Sequence, residues 1–306
     1  MKPVLCIAGP TASGKSRFAL DLAEAVDGEI INADALQVYE DIHVLSARPS
    51  DADIMRVPHH LYGYVPGHVH YSGGQWVRAV MPLVLGLLAR GKVPILVGGT
   101  GLYFKSLLEG LAYVPKIPSE LVRSIEDRIS KKGFEAVLED AQDKDPVGTS
   151  RLLGQDPQRL TRLLSVYEYT KRPLHDWQAA TRPEIPVHMT LRYVLKPARE
   201  TLYTRINDRF QDMIDEGGLD EAKRVFEIYG FESKAPMLKA IGLSHLLNHF
   251  KGDLSLEEAI DIAKRDTRRF AKRQMTWFRN QCSDWQTSES YDVETLKNAI
   301  NFWEAK

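Results

Sequence analysis

Gly9-Pro10-Thr11-Ala12-Ser13-Gly14-Lys15-Ser16 matches the pattern G-x-x-x-x-G-K-[ST]. With a strand before it and a helix after it, such a segment holds phosphate. The glycines allow a tight loop whose backbone N–H groups point inward. The helix start adds the positive end of its dipole, and Lys15 adds a full charge. The Ser16 hydroxyl suits a magnesium ion bridging phosphate oxygens. The bland alternative is an ordinary Gly-rich turn, which needs no such flanking context. The loop specifies a polyphosphate and leaves open whether that is ATP.

Two further segments are expected beside the loop, because ligands of an open parallel sheet sit at the carboxyl ends of its strands. One carries Asp34 and the other is Gly98-Gly99-Thr100-Gly101. A carboxylate beside phosphates is repelled unless a metal or a proton-donating substrate needs it. Asp34 therefore reads either as a general base or as a helix cap or a group behind a magnesium ligand. The strand through Val97 ends in Gly-Gly-Thr with no Asp, which weakens the case for an ordinary NTPase. His59-His60 invites a metal reading. Adjacent histidines point different ways and no third ligand is evident, so structural histidines are the alternative reading.

The elements that must position these groups are visible as periodicities. Apolar runs at residues 4–8, 29–34 and 93–97 read as strands. Residues 16–26 and 75–90 have helical spacing. Alternation of this kind implies an α/β fold: a P-loop NTPase-like parallel sheet core with helices on both faces. The pattern changes after Tyr113. Residues 115–186 read as an inserted all-helical domain, so the core is expected from 1–114 and 187–306. A strand-like stretch returns at 187–195, and helices such as 201–215 and 256–279 are expected to run to the C-terminus.

The chain's 306 residues, 43% hydrophobic, suffice for a large core and more than one compact unit. No apolar run is long enough to span a membrane, and the N-terminus lacks the layout of a signal peptide. Two cysteines outside any CxxC pair, Cys6 and Cys282, disfavour a disulfide framework or a cysteine zinc site and fit a reducing cytoplasm. A net charge of −1 argues against a generic nucleic-acid binder, but the average hides a basic stretch at 264–273. Arg268, Lys272 and Arg279 fall near one side of a helix and Arg269 and Arg273 near another, with Gln274 and Trp277 between them. That is either an RNA surface or a solvated basic helix with Phe270, Trp277 and Phe278 in the core.

Together the segments resemble a known family. The loop 9–16, Asn32-Ala33-Asp34-Ala35-Leu36-Gln37-Val38-Tyr39, Val57-Pro58-His59-His60-Leu61 and Val97-Gly98-Gly99-Thr100-Gly101-Leu102-Tyr103 are similar to bacterial tRNA dimethylallyltransferases, also called tRNA isopentenyltransferases, of the IPP transferase family. Asp156-Pro157-Gln158-Arg159-Leu160-Thr161-Arg162 resembles that family's tRNA-contacting insertion segment. Leu202-Tyr203-Thr204-Arg205-Ile206, Ala240-Ile241-Gly242 and residues 267–279 resemble its later motifs. The family pattern is broken in places. Ala35 stands where Ser is usual. Val44-Leu45-Ser46-Ala47-Arg48-Pro49 replaces Ile-Gly-Thr-Ala-Lys-Pro. Ser165, Lys171 and Leu243 replace a Glu, a Gly and a Tyr. The lack of the zinc-finger extension of eukaryotic relatives fits a bacterial member.

The resemblance implies transfer of a dimethylallyl group from dimethylallyl diphosphate to N6 of the adenosine 3′ of the anticodon, in tRNAs reading codons that begin with U. It implies catalytic roles for Asp34, Thr100 and Arg205, diphosphate binding by Gly9, Pro10, Thr11, Ala12, Ser13, Gly14, Lys15 and Ser16, and Mg²⁺ at Ser16. The tRNA anticodon stem-loop would meet Asp34, Ala35, Leu36, Gln37 and Thr100. It would also meet Gln158, Arg159, Leu160, Thr161 and Arg162, and Lys272, Arg273, Gln274, Met275, Thr276, Trp277, Phe278 and Arg279. Gln37 reads either as an amide for an adenine edge or as a polar residue on a solvated turn. A monomer is expected. The rival readings are a P-loop small-molecule kinase or NTPase, and a non-catalytic RNA-binding module.

Overall fold

The computed structural model describes residues 2–152, 154–230, 233–290 and 292–304. The N-terminal apolar run forms β1 (Val4–Ala8), and the glycine loop leads into α1 (Lys15–Val26). Then follow β2 (Gly28–Asn32), α2 (Asp51–Arg56), β3 (His59–His60), α3 (Gly73–Ala89), β4 (Val93–Gly98) and α4 (Gly101–Leu108). Helices α5 (Ser119–Lys132), α6 (Phe134–Lys144), α7 (Pro146–Ser150), α8 (Pro157–Thr170) and α9 (Leu174–Ala179) come next. The chain returns through β5 (Thr190–Leu195), α10 (Arg199–Met213), α11 (Leu219–Tyr229), α12 (Leu243–Lys251), α13 (Leu256–Gln281), β6 (Gln286–Ser288) and α14 (Val293–Glu304).

The strands form one sheet in the order β3-β2-β4-β1-β5-β6. Every pairing is parallel, so each connection crosses over rather than turning back as a hairpin. Alternation along the strands divides the core. Leu5, Ile7, Ile30, Ile95, Val97, Leu191 and Leu195 pack with Phe18, Leu22 and Val26 of α1. The alternate residues Cys6, Ile31, Leu96 and Val194 are equally buried, so both faces of the sheet are covered.

Two expectations are corrected. Helices do not run unbroken to the C-terminus, because β6 pairs with β5 there. Its Gln-Thr-Ser sequence has no apolar alternation to announce a strand. Residues 187–189 form a short 3₁₀ turn, and the strand begins at Thr190. The histidine pair forms the edge strand β3: His60 Nε2 meets Glu29 at 2.7 Å and His59 Nδ1 meets the Val57 carbonyl at 2.7 Å.

The chain divides into two compact units: the residues up to Leu108 with those from Ile185 onward, and Glu109–Glu184. The second unit is helical throughout its regular structure. Its core is built on Ile125, Val137, Ala141, Leu160 and Leu164, and it begins at Glu109 rather than at 115. In the first unit a separate core joins Val38, Tyr39, Ile42 and Leu45 to Val225 of α11, Leu243 and Leu246 of α12 and Ala259 of α13. The C-terminal helices thereby cover the segment that follows β2.

Candidate active site

The glycine loop is wound as an anion cradle. Ala12 and Gly14 take left-handed backbone angles, φ 60° and 91°, which turn successive N–H groups to one side. The amides of Gly14, Lys15 and Ser16 open α1, where helix geometry leaves them without partners in the helix. Ser13 Oγ is buried without a hydrogen-bond partner, a donor suited to an anion. Burial pushes the Lys15 ammonium down to about 8, against the pull of Asp34 and with the help of Arg209. A lysine so poised recovers its charge when a phosphate arrives.

The Asp34 segment is fixed by its neighbours. The fully buried Asn32 accepts from the Asp34 amide at 2.8 Å and donates to the Asp34 and Leu61 carbonyls, both at 3.0 Å. Trp76 Nε1 donates to the Asn32 carbonyl at 2.8 Å. Asp34 Oδ1 accepts from the Leu36 amide at 3.0 Å. Among the described residues Oδ2 takes no hydrogen bond, so one oxygen orients the carboxylate and the other is available. This local turn caps no helix. Thr100 Oγ1 accepts from the Ala35 amide at 2.9 Å, leaving the hydroxyl proton free to donate. Gly98 is obligatory here, since a Cβ would lie 2.0 Å from the Ala33 carbonyl oxygen. Gln37 lies on a half-buried turn. Its amide nitrogen donates to the Ser46 and Ala47 carbonyls at 3.0 and 2.6 Å, which leaves only its oxygen for a ligand.

Helix α13 has two faces. Lys272, Arg273, Thr276 and Arg279 are exposed. Gln274, expected on the RNA surface, is 6% exposed. It accepts from the Thr11 amide and donates to the Gly99 carbonyl, both at 2.9 Å. Gln274 thus staples the phosphate loop to the β4 loop. Phe278 is fully buried and offers RNA no surface, because it lies on the core side of the same helix. Met275 packs beside Leu202 and Ile206. Trp277 lies against Gly101, where a Cβ would meet its ring at 2.3 Å. Arg268 is drawn to Asn207 of α10.

A cavity of about 100 Å³ lies beside the loop. Its wall includes Lys15, Ser16, Asp34 and Arg209 together with Leu45, Ile206, Phe210, Ile241 and Phe270. Arg205, exposed on α10, shares a second, more open cleft with residues 12–17. Arg209, one turn further along, lines both spaces and was not singled out from the sequence. Its spacing of four from Arg205 was the available signal. Among the described residues no cluster of three or more His, Cys, Asp or Glu could hold a metal unaided. The Ser16 hydroxyl would suit a magnesium ion shared with phosphate oxygens.

Within the helical unit, Gln158, Arg159 and Arg162 are exposed on α8. Arg159 pairs with the capping Asp156 at 3.2 Å. Leu160 and Thr161, expected to touch tRNA, are 0% and 6% exposed. A helix cannot present five consecutive side chains to one partner, and these two face the unit's core.

Residues 37–281 match the family model for IPP transferase, and residues 2–61 match that for isopentenyl transferase. The chain is 46% identical over 288 residues to the tRNA dimethylallyltransferase of Azorhizobium caulinodans, covering 93% of this chain and 92% of that one. It is 43% identical over 284 residues to the enzyme of that name from Rhizobium etli, covering 92% and 95%. Among solved structures, the tRNA isopentenylpyrophosphate transferase of Bacillus halodurans superposes with a TM-score of 0.70 at 28% identity, over 100% of this chain and 95% of that one. A eukaryotic dimethylallyltransferase acting on tRNA gives a TM-score of 0.83 at 26% identity, over 96% and 75%.

Proposed function

The chain belongs to the IPP transferase family, the tRNA dimethylallyltransferases, and from that premise we propose how its residues divide the work of moving a dimethylallyl group onto a tRNA adenosine. The observation that carries the proposal is the small cavity beside the phosphate loop. Its lining brings the cationic Lys15 and Arg209 together with Leu45, Ile206, Phe210, Ile241 and Phe270, the two kinds of group that an allylic diphosphate needs. A cavity of about 150 Å³ admits benzene, so about 100 Å³ is on the scale of a five-carbon chain.

The diphosphate occupies the amides of residues 14–16, Lys15 and Arg209, with Arg205 at the rim. The adenosine leaves its stack to reach the site. Its N6 attacks the allylic carbon, and the C–O bond breaks with its electron pair going to the diphosphate. The N6 proton passes to Asp34 Oδ2, which has no competing partner among the described residues. The Thr100 hydroxyl and the cationic groups face the growing negative charge. Magnesium, held by Ser16 and the diphosphate oxygens, would add further charge neutralisation. Exposed Lys272, Arg273 and Arg279 of α13 meet tRNA phosphates, and Gln158, Arg159 and Arg162 are assigned to the same partner. The acceptor is the adenosine 3′ of the anticodon in tRNAs reading codons that begin with U. The enzyme works as a cytoplasmic monomer.

Incubation with dimethylallyl diphosphate and unmodified tRNA, followed by nucleoside mass spectrometry, tests this. One adenosine should gain a five-carbon unit. Turnover of ATP with unmodified adenosine would favour the small-molecule kinase instead.

A further inference from the structure

Glu221 of α11 is a carboxylate only 2% exposed, outside every motif quoted for the site. It has no salt-bridge partner among the described residues. Its oxygens are taken up by three consecutive backbone amides. Oε1 accepts from His43 and from Val44 at 3.0 Å, and Oε2 accepts from Leu45 at 2.8 Å. Converging N–H groups of this kind form a nest that only an anion fills well. The segment they belong to is a closed turn. The Ala47 amide donates to the Val44 carbonyl at 2.9 Å, the Arg48 amide donates to the His43 carbonyl at 3.1 Å, and Ala47 sits at φ 54°.

That turn borders the site on two counts. Its Ser46 and Ala47 carbonyls receive the Gln37 amide, which ties it to the Asp34 segment. Leu45, Ser46 and Ala47 line the small cavity. The Leu45 side chain also rests on the α10–α11 bend, where a Cβ on Gly218 would come within 3.1 Å of it.

We propose that Glu221 is a positioning residue: by gripping the amides of residues 43–45 it holds Leu45 against the cavity and sets the length of allylic chain that the site accepts. The inference rests on the donor reading of that cavity. Replacing the carboxylate with an amide puts an NH₂ among N–H donors, so the turn loses a backbone anchor while Asp34, Lys15 and the phosphate loop are untouched.

The test compares kcat/KM for dimethylallyl and geranyl diphosphates, with saturating tRNA, in the wild-type chain, Glu221→Gln, Glu221→Asp and Leu45→Ala. Glu221→Gln should raise KM for dimethylallyl diphosphate about tenfold, the scale of one lost charge-assisted hydrogen bond, with kcat and the KM for tRNA little changed. Its preference for the shorter donor should fall by about tenfold or more. Leu45→Ala should shift the preference the same way, and Glu221→Asp should lie between Glu221→Gln and wild type. If Glu221→Gln does not fold, the Asp variant carries the comparison. An unchanged donor preference in a folded Glu221 variant, or in Leu45→Ala, overturns the proposal. A wild-type chain that prenylates no tRNA with either donor fails the functional reading itself, a different result from an unmoved preference.

Discussion

At the scale of single residues, the site works by leaving selected polar atoms unsatisfied. Asp34 spends one oxygen on Leu36 and keeps the other. Thr100 accepts a hydrogen bond and keeps its proton to give. Burial holds the pKa of Lys15 down at about 8, which has a direct consequence for pH. Below 8 the ammonium is charged before the donor arrives, and above 8 each pH unit removes about nine-tenths of the competent form. A bound diphosphate raises the lysine's proton affinity again. The kcat/KM for the donor should therefore fall about tenfold per unit above pH 8, while kcat stays flat over the same range. Lys15→Arg should remove that limb of the profile, whatever it does to the rate. The shape of the anion cradle was legible here because it comes from one contiguous motif. Arg209 was not, since its spacing of four from Arg205 is a signal that many arginines on amphipathic helices share.

At the scale of elements, α13 joins the exposed basic residues to the phosphate loop. Its inner face sends Gln274 to both the Thr11 amide and the Gly99 carbonyl. Gln274→Leu would leave the buried Gly99 carbonyl and the half-buried Thr11 amide without this partner, at a cost of about 2 kcal/mol. Urea denaturation should show that loss, accompanied by weaker donor binding, whereas Thr276→Ala on the exposed face should change neither. The sequence announced α13 by its periodicity and charge, but a contact spanning most of the chain leaves no local trace. Consecutive residues were consequently assigned to RNA although a helix turns every third or fourth one inward. Buried parallel strands such as Val4–Ala8 were readable because they are continuous apolar runs. The edge strands His59–His60 and Gln286–Ser288 were not, since they are short and polar.

At the scale of the whole molecule, a chain of net charge −1 attracts a polyanion only through segregated charge. Attraction confined to a few phosphates should appear as a salt slope: log K for tRNA should fall linearly with log salt, by about 0.7–0.9 for each phosphate engaged. Replacing Lys272 and Arg279 with Gln should weaken tRNA binding and reduce that slope by about two contacts, leaving the KM for the donor unchanged. The central claim is that Asp34 takes the proton from an adenosine amine while the loop holds the departing diphosphate. Single-turnover transfer from a preformed complex of Asp34→Asn, tRNA and dimethylallyl diphosphate tests it most directly. The chemical step should slow by about 10²–10⁴, the usual worth of a general base, with both substrates bound about as tightly as by the wild-type chain. A rate within a few-fold of wild type, or a loss explained wholly by weaker donor binding, would contradict it.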